Sequence, residues 1–210
     1  MWWLAPLAGC ASGSIATPSV DDKLRTAWYQ TVQSGNDVRT LVALANSNIP
    51  CEEPDIDDPA QLTRENLAIY SSVTRENARI VMLDLYRYHL ETSWVGVYPI
   101  HVDAEVAWPS YVDATHPHVA RARYRGIDEA AVATDEGLYR LYEPTEWVDL
   151  YVDEPAEVVI TAEGDTLRGT FHFDTEDVSG TFRAQHCDHV DLLQLLALLD
   201  LVDTTPEPEE

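Results

Sequence analysis

Lysine is almost missing from this chain: Lys23 stands alone among 210 residues, beside twelve arginines. Basic residues number 13 against 37 acidic ones, and the formal charge is −24. Nucleic-acid binding needs a basic footprint that displaces counterions, so this balance argues against a nucleic-acid partner. It also disfavours docking on anionic lipid by charge alone. Long apolar runs are lacking as well. The leucine-rich stretch Val190 to Val202 is broken by Asp191, Gln194 and Asp200 and is too short to span a bilayer. The sequence has no G-x-G-x-x-G, no Walker A loop, no H-E-x-x-H, no G-x-S-x-G and no C-x-x-C. These absences lean the reading away from an enzyme and point to no cofactor.

What the chain does have is apolar residue and acid. At 45% hydrophobic residues it can bury a sizeable core, which excludes wholesale disorder. Its length suits one domain, or one domain with an appendage. High acidity with one lysine fits a protein kept soluble in concentrated salt, or a GC-rich codon bias.

The first residues are Met1-Trp2-Trp3-Leu4-Ala5-Pro6, followed by Leu7-Ala8-Gly9-Cys10. The latter four resemble the lipobox of bacterial lipoproteins, in which the cysteine is lipidated and becomes the new N-terminus. The resemblance covers about a dozen residues. It implies lipidation at Cys10, export, and a membrane partner reached through the anchor. Ala11 to Pro18 then reads as a flexible tether. Nine residues precede Cys10 and none is Lys or Arg, so the expected true start lies upstream.

Cys51 and Cys187 are the other two cysteines. With Cys10 taken by lipid they form an even pair, and a Cys51–Cys187 disulfide is expected. The alternative is two free thiols.

Residues 19–91 read as helical. Ser19 is a candidate cap, with Leu24, Ala27, Trp28, Thr31 and Val32 at helical spacing. Further helices are expected around Leu41 to Ala45, from Asp58-Pro59, and from Thr74 through Ala78, Val81, Met82, Leu85 and His89. His89 falls on the apolar face and reads as a core histidine. Thr63-Arg64-Glu65-Asn66 recurs as Thr74-Arg75-Glu76-Asn77, two similar helix starts.

From Trp94 the period changes to two. Strands are expected at Ile100 to Trp108, Val119–Arg125, Leu138–Tyr142, Trp147–Val152, Glu157–Ala162, Thr166–Phe173 and Val178–Gln185. Gly169-Thr170-Phe171 and Gly180-Thr181-Phe182 repeat one pattern on the last two. The expected fold is therefore α+β: N-terminal helices packed on an antiparallel β-meander sheet, with a C-terminal core helix. The division is 1–9 a truncated signal segment, 10–18 the anchor cysteine and linker, and 19–203 a single domain. Within that domain 19–91 is helical, 94–186 mainly β and 188–202 a helix. Residues 204–210 form a disordered acidic tail.

Four constellations are candidates for chemistry. His101, Asp103 and Glu105 share one face of an expected strand, where imidazole and carboxylates suit zinc or manganese; a solvated sheet face is the plainer reading. Arg121, Arg123 and Arg125 share a face of the next strand and are the one basic cluster. They either pair across an antiparallel hairpin with His101, Asp103 and Glu105, or form an anion or carboxylate site. His116, His118, His186 and His189 with Cys187 have zinc-like spacing, which excludes the disulfide if real. The loop Glu52 to Asp58 offers oxygen ligands for calcium but lacks the EF-hand pattern. Trp94, Tyr98, Trp108, Tyr111, Tyr139, Tyr142, Trp147 and Tyr151 read as strand formers, or as a glycan- or protein-binding face if exposed together.

Three functional readings follow. The first is an exported, lipid-anchored cell-envelope protein with a structural or binding role toward an envelope protein or glycan. The second is an envelope hydrolase or metal-dependent enzyme. The third is a cytosolic acidic protein of a salt-adapted organism.

Overall fold

The computed structural model describes residues 12–18, 20–34, 37–49, 51, 77–89, 92–100, 114–115, 117–127, 132–133, 139–140, 148–150, 156–174 and 177–187. These hold thirteen strands: β1 (Ser12–Thr17), β2 (Val20–Lys23), β3 (Thr26–Ser34), β4 (Asp37–Ala45), β5 (Ala78–Arg87), β6 (Gly96–Pro99), β7 (His118–Ile127), β8 (Val132–Ala133), β9 (Tyr139–Arg140), β10 (Val148–Leu150), β11 (Glu157–Ala162), β12 (Thr166–Phe173) and β13 (Val178–His186). No helix occurs among the described residues, so the α+β expectation is overturned.

The strands follow one another around a nearly closed barrel in the order β7, β5, β4, β3, β13, β12, β11, β6. Ile100, just after β6, bridges back to Ala120 of β7 and joins the two ends of the sheet. The short β10 lies along the other part of the same β7 edge, at Ala122–Tyr124. Neighbours are antiparallel except at that bridge and at β13 with β3, which run parallel through Gln185 and His186. The β1–β2 hairpin lies beside the first half of β13, with Ser12 opposite Arg183 and Ala16 opposite Ser179. The residues expected to form a flexible tether are therefore a strand of the sheet.

The helical expectation failed for a physical reason. On β4, Val38, Val42 and Leu44 face the core, while Leu41, Ala43 and Ala45 on the opposite face are also buried. On β5, Val81, Leu83 and Leu85 point inward, and Ile80 and Met82 are buried on the other side. A strand covered on both faces loses its period-two signal and reads as a continuous apolar run. Ala78, Val81, Met82 and Leu85 thus mimicked a helix face while belonging to two faces of β5. His89, expected in the core, is exposed.

Where one face is exposed the alternation survives and the expectation held. Leu167, Phe171 and Phe173 of β12 are buried between exposed Arg168, Thr170 and His172. All three phenylalanines of the chain lie on β12 and β13 and fill the barrel interior. Full burial of each is worth about 2–3 kcal/mol.

Asp58-Pro59, the Thr63 and Thr74 helix starts, the 188–202 helix and the 204–210 tail lie outside the described residues. No described helix is long and apolar enough to cross a membrane.

Candidate functional site: an external arginine recess

The outward face of β4, β5 and β7 is a grid fixed by strand register. Arg39 lies opposite Tyr86, Leu41 opposite Asp84, and Ala43 opposite Met82. Across the next ladder Tyr86 faces Val119, Asp84 faces Arg121, Met82 faces Arg123 and Ile80 faces Arg125. Arg121, Arg123 and Arg125 therefore share one face, as the alternation predicts. Their neighbours are β5 residues, not His101, Asp103 and Glu105. Those three lie outside the described residues. Ile100, immediately before them, meets Ala120 in parallel rather than in an antiparallel hairpin.

Asp84 organises the grid. Arg39 grips it with both arms of its guanidinium: Nε donates to Oδ1 at 2.6 Å and Nη2 donates to Oδ2. The Tyr86 hydroxyl donates to the same Oδ2 at 3.1 Å. Arg39 also lies over the Tyr86 ring, 5.6 Å from its centroid. Burial pushes the Asp84 carboxyl above its ordinary value, against the opposing pull of Arg39, Tyr86 and Arg121. Burial alone would lower the Arg39 value, but its bonds and attraction to Asp84 outweigh that and raise it. Burial, reinforced by the Asp84 charge, pushes the Tyr86 hydroxyl well above the usual phenol range.

Beside this pair lies a recess of about 100 Å³. Arg39, Asp84, Arg121 and Arg123 form its polar wall, and Leu41 and Met82 its apolar one. Arg125 does not line it; that side chain is 1% exposed, one row further along.

A second polar cluster gathers around residues 92–94. Arg87 Nη1 donates to the Thr92 carbonyl at 2.6 Å, and its guanidinium lies 4.2 Å from the Trp94 ring centroid. Trp94 N donates to Glu163 Oε2 at 2.6 Å, and the Tyr98 hydroxyl to the Trp94 carbonyl at 2.8 Å. His118 Nε2 donates to the Ser93 carbonyl at 2.7 Å, with its ring 4.6 Å from that of Tyr98. Each bond ends on the 92–94 segment, so this cluster fastens that segment in place.

The two cysteines meet as expected. Cys51 and Cys187 form a disulfide with Cα atoms 5.8 Å apart across 136 positions. Thr26 and Trp28 guide the approach. Thr26 Oγ1 donates to the Ser47 carbonyl and accepts from Ile49 N, both at 2.7 Å. Trp28 Nε1 donates to the Ile49 carbonyl at 2.7 Å. From the other side, Cys187 N donates to the Tyr29 carbonyl at 3.0 Å.

The bond removes Cys187 from any zinc set. His118 is bonded to Ser93, and the His186 ring centroid lies 5.0 Å from that of Tyr29. Among the described residues no three His, Cys, Asp or Glu side chains are grouped to hold a metal ion. Cys10, His116, His189 and the Glu52 to Asp58 loop lie outside the described residues. So do Trp108, Tyr111, Tyr142, Trp147 and Tyr151. Trp94 and Tyr98 are core residues.

Arg39, Asp84 and Tyr86 went unnoticed in the sequence. Their one signal is Asp84 itself, a lone carboxylate inside the run Ile80 to Leu85, where a buried charge demands a partner. No protein-family model, no curated protein and no solved structure matches this chain. The fold and the recess together define a small, nearly closed β-barrel with an arginine-lined pocket on its outer wall.

Proposed function

We propose that this chain is an exported cell-envelope protein, anchored by lipid at Cys10, with a binding rather than a catalytic role. The observation that carries this reading is the Cys51–Cys187 disulfide. Such bonds persist in oxidising compartments and are rare in a reducing cytosol. The lipobox-like Leu7 to Cys10 and the even cysteine count support the same compartment. The arginine recess supports a binding role, because it gathers recognition groups without a nucleophile–base pair.

The test is mass spectrometry of protein from its native host, with a peptide map run without reductant. A diacylglyceryl-modified Cys10 and a linked Cys51–Cys187 peptide are the expected result. An intact Met1 with three free thiols overturns the reading in favour of a cytosolic acidic protein.

A further inference from the structure

The sheet begins very close to Cys10. Ser12 opens β1 two residues later, and two residues of extended chain span at most about 7 Å. β1 is held on both sides, with Ser12 opposite Arg183 of β13 and Ser14 opposite Lys23 of β2. A lipid on Cys10 therefore has almost no tether, and it brings the wall around Arg183 up to the headgroups.

That wall carries what a phospholipid surface attracts. Arg183 faces Arg168 directly across β13 and β12. Like charges set opposite one another repel, and an anionic group laid over both relieves the repulsion. Thr181 and Thr170 are the next pair on this face, and beyond Ser14 the same row ends at Lys23. In the other direction it runs from Thr170 to Val159 and then Val97 of β6. Among the described residues Val95 and Val97 are the large apolar side chains left exposed, at 43% and 52%. Asp21 and Glu157 stand one row further on, away from Ser12, and Asp165 lies in the turn before Thr166.

We propose that this wall docks on anionic phospholipid headgroups, with Arg168, Arg183 and Lys23 on the phosphates and Val95 and Val97 in the headgroup layer. The proposal rests on the lipid anchor at Cys10. With a formal charge of −24 the chain does not dock by charge alone, so the anchor attaches it and the wall sets its orientation. Salt screens charges beyond about 8 Å, so cations at the surface act on the phosphates more strongly than acid elsewhere on the barrel does. β12 and β13 stand across the ring from β5 and β7. Docking this way turns the recess beside Arg39 and Asp84 away from the bilayer, toward the medium.

The test couples the full chain, with its disulfide intact, to vesicles through Cys10, the one cysteine left for a maleimide-bearing lipid. The vesicles are phosphatidylcholine mixed with phosphatidylglycerol that carries a photoreactive group on its headgroup. Crosslinked peptides are then mapped by mass spectrometry. Crosslinks at residues 95–99, 168–172 and 181–185 should exceed those at 39–41 and 82–84 at least about tenfold, since two arginines near an anionic surface are together worth about thirtyfold. Arg168→Gln with Arg183→Gln should lower that ratio at least about fivefold. This variant keeps residues 1–10, so whatever they contribute is common to both chains. Should it unfold, the wild type decides: sodium chloride at about 1 M, where screening acts within about 3 Å, should lower the ratio likewise. An even spread of crosslinks, or a ratio that salt leaves unchanged, overturns the proposal. Coupling supplies the anchor chemically, so that failure is separate from failure of the export reading, which an unmodified Cys10 in the native host reports.

Discussion

The ring of Phe171 fills the space that a side chain on Gly180 would need: a Cβ there would lie 2.5 Å from Phe171 Cζ. The two residues are direct partners across β12 and β13, and the arrangement is reciprocal. Phe182 lies in the same way over Gly169, with Cζ 2.7 Å from the position of a Cβ. The repeated Gly-Thr-Phe thus pairs with itself in reverse, each phenyl ring resting on the other strand's glycine. Gly180→Ala also meets the Ser14 carbonyl oxygen at 2.1 Å, so neither the ring nor the backbone can yield cheaply. This substitution should cost about 3 kcal/mol by overpacking. Urea unfolding checks it, with Thr170→Ala on the exposed face of β12 as a near-neutral reference.

Reduction of the disulfide should be costly. It closes a loop of 136 positions, and the chain-entropy model assigns such a bridge about 5 kcal/mol. Cys51→Ser with Cys187→Ser should lower the urea midpoint by a corresponding amount without changing which strands pair. Denaturation of the wild type with and without reductant should reproduce the shift.

Removing one member of the Arg39–Asp84 pair should be worse than removing both. The side chains are 30% and 15% exposed, so water screens part of the interaction. Asp84→Leu takes away the carboxylate that Arg39 holds with two bonds and should cost about 2–3 kcal/mol. Arg39→Met combined with Asp84→Leu should recover about half of that. A double-mutant cycle on unfolding free energies reads the coupling directly.

Alkaline pH should destabilise the barrel through two tyrosines. Burial raises the hydroxyls of both Tyr86 and Tyr98; at Tyr98 the Glu163 charge adds to the effect and Arg87 opposes it. In the unfolded chain both ionise near pH 10. The folded chain therefore holds protons that the unfolded chain releases. Their stabilising contribution is complete below about pH 10 and is lost as the pH rises beyond it. Unfolding midpoints taken from neutral to strongly alkaline pH should fall across that boundary. Tyr98→Phe should make the fall shallower.

The sequence was most legible where strands have one wet face. β11 and β12 begin and end where alternation places them, and β13 runs one residue longer. It was least legible at β4 and β5, where side chains are buried on both faces, and at β3, where Trp28, Tyr29 and Gln30 are half-buried on either side. One local sign was present there: Ser34 pairs with Asp37, and the intervening Gly35-Asn36 is a two-residue hairpin sequence. The arginine face was readable from spacing alone. Its partners were not, since Asp84 and Arg39 lie on strands that the helical reading removed.

One consequence of the topology concerns timing. β13 is the last described strand, yet it joins β12 on one edge and both β1 and β3 on the other. β1 pairs at once with β2, and β3 with β4, but β13 must be delivered before either finds its other neighbour. Such distant pairings are slow, and until they form the early strands present unpaired edges that invite aggregation. A chain built this way gains from being held unfolded until β13 is free to pair. The 51–187 bond then forms only after β13 has emerged, and it ties the residues that follow β4 to the end of that strand.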